Sequence, residues 1–254
     1  MNATALFLVT HGSSDRRSWL ALQNLVAVAQ TKDQYADRLI SGGCLEGQDL
    51  SLAQQLEKFA LEVIASGGTE IVILPLFLLD GIHVSTDIPE QVAIAKHNLQ
   101  TRFPDLPDLF IRDFTLRITA HLGTHDQIPN ILLQQFEKHQ KEIPKEANGT
   151  KQARILMAHG SRREGANQVV ENLAHHSQAI AAYWGVEPKI ETQIEMLLAK
   201  GINKITVLPY FLTEGGITEA IANKLKVYGD RAEIQQLQVP LSEQTIIDLS
   251  LKFR

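Results

Sequence analysis

The chain has 254 residues, 44% hydrophobic and 21% charged, a balance that excludes global disorder and suffices for one large domain or two ordinary ones. A formal net charge of -5 with a pI near 6.0 argues against a nucleic-acid partner. No apolar run approaches the roughly 18 to 20 residues of a membrane span, the first residues lack a secretory pattern, and one cysteine, Cys44, excludes an internal disulfide, so a cytoplasmic protein with no membrane partner is expected.

The first element is the run Leu6-Phe7-Leu8-Val9, free of polar interruption and therefore read as a parallel strand covered on both faces. It stops at Thr10-His11-Gly12-Ser13-Ser14-Asp15, where Gly12 permits a tight turn and Ser13, Ser14 or Asp15 can cap the next helix. His11 is thus placed just beyond the carboxyl end of a strand, where open α/β sheets keep their ligands. Apolar spacing predicts a helix over residues 16–30, a second strand over 39–46 ending on Glu46, and a second helix over 51–66 stopped by Gly67-Gly68. A strong strand over 70–79 runs into Asp80-Gly81-Ile82-His83, so a second histidine follows a second strand. Residues 90–103 read as a helix, 109–112 as a short fourth strand, 126–143 as a helix and 144–151 as a polar linker.

The same order returns in compressed form. Ile155-Leu156-Met157-Ala158-His159-Gly160-Ser161 repeats the opening, and Leu208-Pro209-Tyr210-Phe211-Leu212 answers Leu74-Pro75-Leu76-Phe77-Leu78. Strands alternating with helices imply parallel sheets with right-handed crossovers. The expected fold is therefore α/β, with two similar lobes from an internal repeat: an N-terminal lobe over 1–125, a connecting helix and linker over 126–150, and a C-terminal lobe over 151–254. Eight residues past each proline stand His83 in the first copy and Ile217 in the second, so only the first keeps both histidines.

If the strands of the first lobe are neighbours, their ends bring His11, Glu46 and His83 to one rim. Two imidazoles and a carboxylate suit a divalent ion such as Fe²⁺, Co²⁺, Ni²⁺ or Zn²⁺, and imidazoles equally serve as bases near neutral pH. Arg16 and Arg17 follow the histidine turn, where they could meet an anionic ligand or simply be exposed at a helix start. His121 and His125 lie beside a lobe-to-lobe turn; His97, His139, His175 and His176 fall on helices and are expected to face solvent. Cys44 reads as a small core residue, and Trp19 and Trp184 as packing residues. No Gly-x-x-x-x-Gly-Lys-Ser/Thr loop is present to support ATP-driven chemistry. A histidine phosphatase would want an arginine directly before its histidine, and Thr10 and Ala158 stand there.

The pairing of Val9-Thr10-His11-Gly12-Ser13 with Leu74-Pro75-Leu76-Phe77-Leu78-Leu79-Asp80-Gly81-Ile82-His83-Val84-Ser85-Thr86-Asp87-Ile88-Pro89 resembles the sirohydrochlorin cobalt/iron chelatase family, the ATP-independent class II tetrapyrrole chelatases. The second segment is the specific one, and the likeness covers essentially the whole chain in the long, two-lobed form. The resemblance implies a four-stranded parallel sheet in each lobe and an active cleft between them. It also implies insertion of Fe²⁺ or Co²⁺, as substrate, into sirohydrochlorin on the way to sirohaem or cobalamin, with no permanently bound cofactor and a monomer of two pseudo-symmetric lobes. Carried over by position, His11 and His83 match the family's two metal-binding or proton-accepting histidines, and Glu46 resembles the acidic residue that completes the metal site in some relatives. Ser13, Ser14, Arg16 and Arg17 are expected to bind substrate carboxylates through the helix start. His159 becomes a relic or a cleft residue. The competing reading is a carrier that holds tetrapyrrole or metal in the same cleft without turnover.

Overall fold

A computed structural model of the chain describes residues 4–32, 38–102, 114–141, 152–250 and 252–253. They divide into two compact units, Met1–His125 with Glu243–Arg254, and Asp126–Ser242.

In the first unit the strands β1 (Thr4–Gly12), β2 (Ile40–Glu46), β3 (Glu70–Pro75) and β4 (Thr115–Ile118) form one parallel sheet in the order β2-β1-β3-β4. The apolar run of β1 is central, and residues 5–9 are all buried. Alternate residues serve the two faces. Ala5, Phe7 and Val9 join the cluster formed with α2 (Leu52–Ala65) and α3 (Ile88–Arg102), while α1 (Arg16–Gln30) buries Leu22, Leu25 and Ala29. Each fully buried aliphatic side chain here contributes about 1.5–3 kcal/mol, so Leu8→Ala, at 0% exposure, removes a large fraction of a domain's net stability. Helix α2 starts on a reciprocal cap, with Ser51 Oγ accepting from Gln54 N (3.3 Å) and Gln54 Oε1 accepting from Ser51 N (2.9 Å).

Two differences from the sequence reading have local causes. Strand β3 ends at Pro75 although apolar residues continue to Leu79, because the pairing of β1 with β3 finishes at Val9 opposite Pro75. Leu76 and Leu78 are buried outside any strand, and the Phe77 carbonyl instead accepts from Gly123 N (2.9 Å). Second, helix α3 does not begin at Glu90. It continues a π-turn, His83–Asp87, closed by Ile88 N donating to His83 O. Pro89 has no N–H, and its ring crowds the carbonyl four residues earlier, which favours the wider turn there. The expected fourth strand over 109–112 lies outside the described residues, as does the linker over 144–151; the fourth strand among the described residues is Thr115–Ile118.

The second unit repeats the plan with β5 (Gln152–Ala158), β6 (Ile180–Tyr183), β7 (Lys204–Pro209) and β8 (Glu233–Gln236) in the order β6-β5-β7-β8, again all parallel. Met157 pairs with Pro209 as Val9 pairs with Pro75. Helices α6 (Ile190–Ala199) and α7 (Gly216–Lys226) cover one face through Ile190, Ile194, Ile221 and Leu225. Helix α5 (Gln168–His176) packs with α4 (Ile128–Lys141), whose Phe136 ring carries the Arg154 guanidinium 5.5 Å from its centroid.

Unit membership departs from the partition drawn on the sequence. Helix α4, read as a connector, belongs to the second unit, and α8 (Glu243–Ser250), read as the end of the C-terminal lobe, belongs to the first, where it packs on α1. Each amphipathic helix needs a sheet-covering helix to bury its stripe against, and packing partners rather than chain order set the division. No helix among the described residues is long and apolar enough to cross a membrane.

Candidate functional site

The site begins where β1 leaves the sheet. Gly12 has φ +80°, and a Cβ on it would lie 2.0 Å from the Glu46 carbonyl oxygen; Gly47, at φ +79°, would place a Cβ 2.0 Å from Ser13 O. The two chain turns cross so closely that only glycine fits at either crossing. This fixes the backbone on both sides of His11. The imidazole Nδ1 of His11 donates to its neighbour's carbonyl, Gly12 O, at 3.0 Å. His83 is delivered by the π-turn, and its Nδ1 meets Asp87 Oδ2 at 2.6 Å, one turn along the same segment. A carbonyl and a carboxylate can only accept, so both Nδ1 atoms carry hydrogen, and in the neutral rings both Nε2 atoms present lone pairs. Those two Nε2 atoms face each other at 3.1 Å, the rings nearly perpendicular at 83° with centroids 4.4 Å apart. Two converging lone pairs repel unless a cation, proton or metal, stands between them. Beside the pair, the Phe77 ring lies 6.2 Å from the His83 ring, and Ile82 is 64% exposed.

The structure brings His11 and His83 together, from strand ends whose sequence separation gave no local clue. It does not gather Glu46 with them: Glu46 is exposed at the end of β2, and among the described residues no group of three or more His, Cys, Asp or Glu side chains could hold a metal ion. Asp87 is the side chain that holds His83 in place, and sequence reasoning passed over it. Its signal was the four-residue spacing from His83, which puts the two side chains on one helical face.

At the start of α1 Asp15 is the cap, accepting from Arg17 N at 2.9 Å, and Ser13 Oγ accepts from Asp15 N at 3.1 Å. Arg17 folds back so that its Nε and Nη2 lie 2.9 and 2.8 Å from Asp15 Oδ2, and this hydrogen bond holds the Asp15 carboxyl below its usual range. Ser13, Ser14, Arg16 and Arg17 are all exposed.

The remaining histidines sort by burial. His121 and His125 are buried; His121 Nδ1 donates to Phe77 O (2.9 Å), and the His125 ring meets Phe253 edge-on with centroids 5.5 Å apart. His97, His175 and His176 are exposed as expected, but His139 is half-buried, because it lies on the packed side of α4. Cys44 is 1% exposed, 3.2 Å from Thr10 Oγ1, and burial pushes its thiol up, away from the reactive thiolate form.

In the second unit His159 repeats the local geometry: Gly160 has φ +79°, and His159 Nδ1 donates to Gly160 O at 3.1 Å. Its surroundings do not repeat. Ile217 stands where the first unit has His83, and Ile221, 0% exposed, where it has Asp87. Register places Gly185 at the position of Glu46, since Ala158 pairs with Tyr183 as Thr10 pairs with Cys44.

Comparison with known proteins agrees with this architecture. The CbiX family model matches residues 5–139 and 153–247, once over each repeat. The sirohydrochlorin cobaltochelatase of Priestia megaterium is 23% identical over 173 residues, covering 65% of this chain and 52% of that protein. The chloroplastic sirohydrochlorin ferrochelatase of Arabidopsis thaliana is 27% identical over 132 residues, covering 52% of this chain and 50% of its own length. The chain thus matches about half the length of these curated relatives. Among solved structures, SirB from Bacillus subtilis with Fe3+ superposes with a TM-score of 0.75 at 16% identity, covering 99% of this chain and 94% of that one, a likeness of fold.

Proposed function

Since the chain belongs to the CbiX family, we propose that it inserts Fe²⁺ or Co²⁺ into sirohydrochlorin without ATP, using His11 and His83 as the reacting pair. The observation that carries this reading is the 3.1 Å approach of the two Nε2 atoms with both Nδ1 atoms already committed. Two nitrogens that far apart suit one ion held at metal–nitrogen distances of about 2.1 Å with a near-right angle between the bonds. A site with two protein ligands leaves the ion's other positions open to the macrocycle's nitrogens, as transfer requires.

Metal insertion also releases two pyrrole protons, and the same lone pairs can accept them once the ion has left. Asp87 serves as the positioning group. By accepting the hydrogen bond from Nδ1 it fixes the His83 tautomer and turns Nε2 toward the ion. Phe77 and the exposed Ile82 supply an apolar flank for a flat macrocycle. Glu46 stands apart from the pair in this structure and would join it as a further carboxylate ligand only during transfer, while Ser13, Ser14, Arg16 and Arg17 would hold the substrate's carboxylates. Arg17 must then exchange Asp15 for a substrate carboxylate.

The test is an anaerobic assay of the purified protein with sirohydrochlorin and either Fe²⁺ or Co²⁺, followed by the macrocycle's absorption spectrum. Metallated product forming well past one equivalent per protein supports the chelatase reading. Product that stops at one equivalent would make the protein a carrier, and no acceleration over the protein-free mixture overturns both.

A further inference from the structure

A second polar site lies on the free edge of the first sheet, where a cavity of about 410 Å³ opens beside β2. None of its lining residues belongs to the histidine site; Trp19 of α1 forms one wall, Gln55 and Phe59 of α2 another, and Ser41 and Gly42 of β2 the floor. In a parallel ladder every second residue of an edge strand turns its N–H and C=O away from the sheet. Leu6 N donates to Leu39 O at 2.9 Å, so the outward residues of β2 are Ile40, Gly42 and Cys44.

Both flanking residues are engaged by side-chain carboxamides, Ile40 at its carbonyl and Cys44 at both of its groups. Gln30 Nε2 donates to Ile40 O at 3.2 Å, and Gln55 grips Cys44 twice, its Oε1 accepting from Cys44 N at 3.1 Å and its Nε2 donating to Cys44 O at 3.0 Å. Gly42, between them, has no partner for its outward N–H and C=O among the described residues, and it faces the cavity. Its lack of a side chain follows from packing, since a Cβ there would lie 2.9 Å from Leu22 Cδ1. One consequence is an adjacent donor and acceptor left bare inside a walled space.

We infer that this cavity binds a planar ligand with an N–H next to a C=O, a lactam or primary carboxamide, which pairs with Gly42 as Gln55 pairs with Cys44. The volume falls within the range of small-molecule pockets, and the Trp19 indole offers a ring wall beside the ligand plane. An added peptide strand does not fit the same observations, because Gln30 and Gln55 occupy the edge on either side and leave only the donor and acceptor of one residue open. The lining mixes Lys58 with Asp49 and Glu62, so hydrogen bonding rather than charge selects the ligand.

Titrating the ¹⁵N-labelled full chain with 2-pyridone, a flat lactam, tests the assignment. The Gly42 amide is expected to shift saturably with a Kd of about 1–10 mM. N-methyl-2-pyridone, which lacks the donor, should bind about tenfold more weakly. Trp19→Ala should weaken 2-pyridone binding about fivefold, and Trp19→Phe should restore most of it. A Gly42 amide that does not move, or equal binding of the two compounds to the unmodified chain, overturns the inference whether or not the Trp19 variants fold.

Discussion

The ends of β1 and β5 are alike through their histidines and the glycines that follow, with φ +80° at Gly12 and +79° at Gly160, and the same imidazole-to-carbonyl hydrogen bond at 3.0 and 3.1 Å. What stands around the two histidines differs. His11 meets His83, itself held by Asp87, whereas the matching positions near His159 hold Ile217 and Ile221. The sheet, the strand register and the proline that ends the third strand keep a copy folded. The polar pair opposite the first histidine is dispensable to the fold and is where the copies part. In the second unit those positions have become core: Ile221 is fully buried and Ile217 packs against the same cluster.

The largest effect should come from forcing the first unit's chemistry onto the second. Ile221→Asp puts a carboxylate into an apolar cluster with no histidine to receive it. It should cost about 4 kcal/mol or more, enough to unfold the second unit in a urea titration. The reverse change, Asp87→Ile, replaces a side chain 38% exposed and should alter stability by no more than about 1 kcal/mol. Equal costs for the two would mean that the copies are not divided into a working site and a packed one.

Turnover should divide the histidines in the same way. If the proposed reading holds, His11→Ala or His83→Ala is expected to lower chelatase turnover by roughly 10²–10⁴-fold, since each removes half of the proposed reacting pair. His159→Ala should leave it within about twofold. Circular dichroism should be unchanged in all three, because both site histidines are half-buried rather than core residues.

The glycines give a finer comparison of the two turns. An alanine at either position must adopt a left-handed backbone, at about 1–2 kcal/mol. At Gly12 the added methyl also meets a backbone oxygen at 2.0 Å, while at Gly160 it meets Tyr183 Cβ and Val186 Cγ2 at 2.7 Å. Side chains can give way and a hydrogen-bonded sheet edge cannot. Gly12→Ala should therefore destabilise by about 3 kcal/mol or more and Gly160→Ala by about 1–2 kcal/mol, read from denaturation midpoints.

Much of this division was legible before any coordinates. Uninterrupted apolar runs ending at His-Gly marked buried parallel strands, and the repeated proline fixed the matching positions that expose Ile217. Periodicity could not show that the run after Pro75 stays buried without joining a ladder, since strand and buried coil share one apolar pattern there. Nor could it show the π-turn, because Pro89 reads as a point where helix begins rather than one that a wider turn can run through. Asp87 was missed for that reason: its pairing with His83 depends on helical spacing across a stretch read as loop. The exchange of α4 and α8 between units lies beyond any local signal, since both helices carry an ordinary apolar stripe and only tertiary packing decides which sheet receives it.

The smallest expected effect concerns the first helix of each unit. In the first, Asp15 caps α1 directly after the histidine turn and is ion-paired with Arg17; in the second, α5 starts only at Gln168, several residues beyond its histidine turn, and Asn167 at its start makes no side-chain cap. The Arg17 side-chain hydrogen bond, helped by the Arg17 backbone N–H, holds the Asp15 carboxyl below the ordinary aspartate range in the folded chain. A carboxyl lowered on folding contributes stability that is fully present above the unfolded value and fades as pH falls through the folded one. The Asp15 carboxyl resonance should therefore titrate below the ordinary aspartate range, and Arg17→Ala should move its midpoint back toward that range without reaching it, because the backbone N–H remains. The difference in Tm between the parent and Arg17→Ala should be small at pH 6 and vanish once the pH falls below the folded midpoint. A difference that grows on acidification would show that Arg17 acts on α1 through something other than the Asp15 carboxylate.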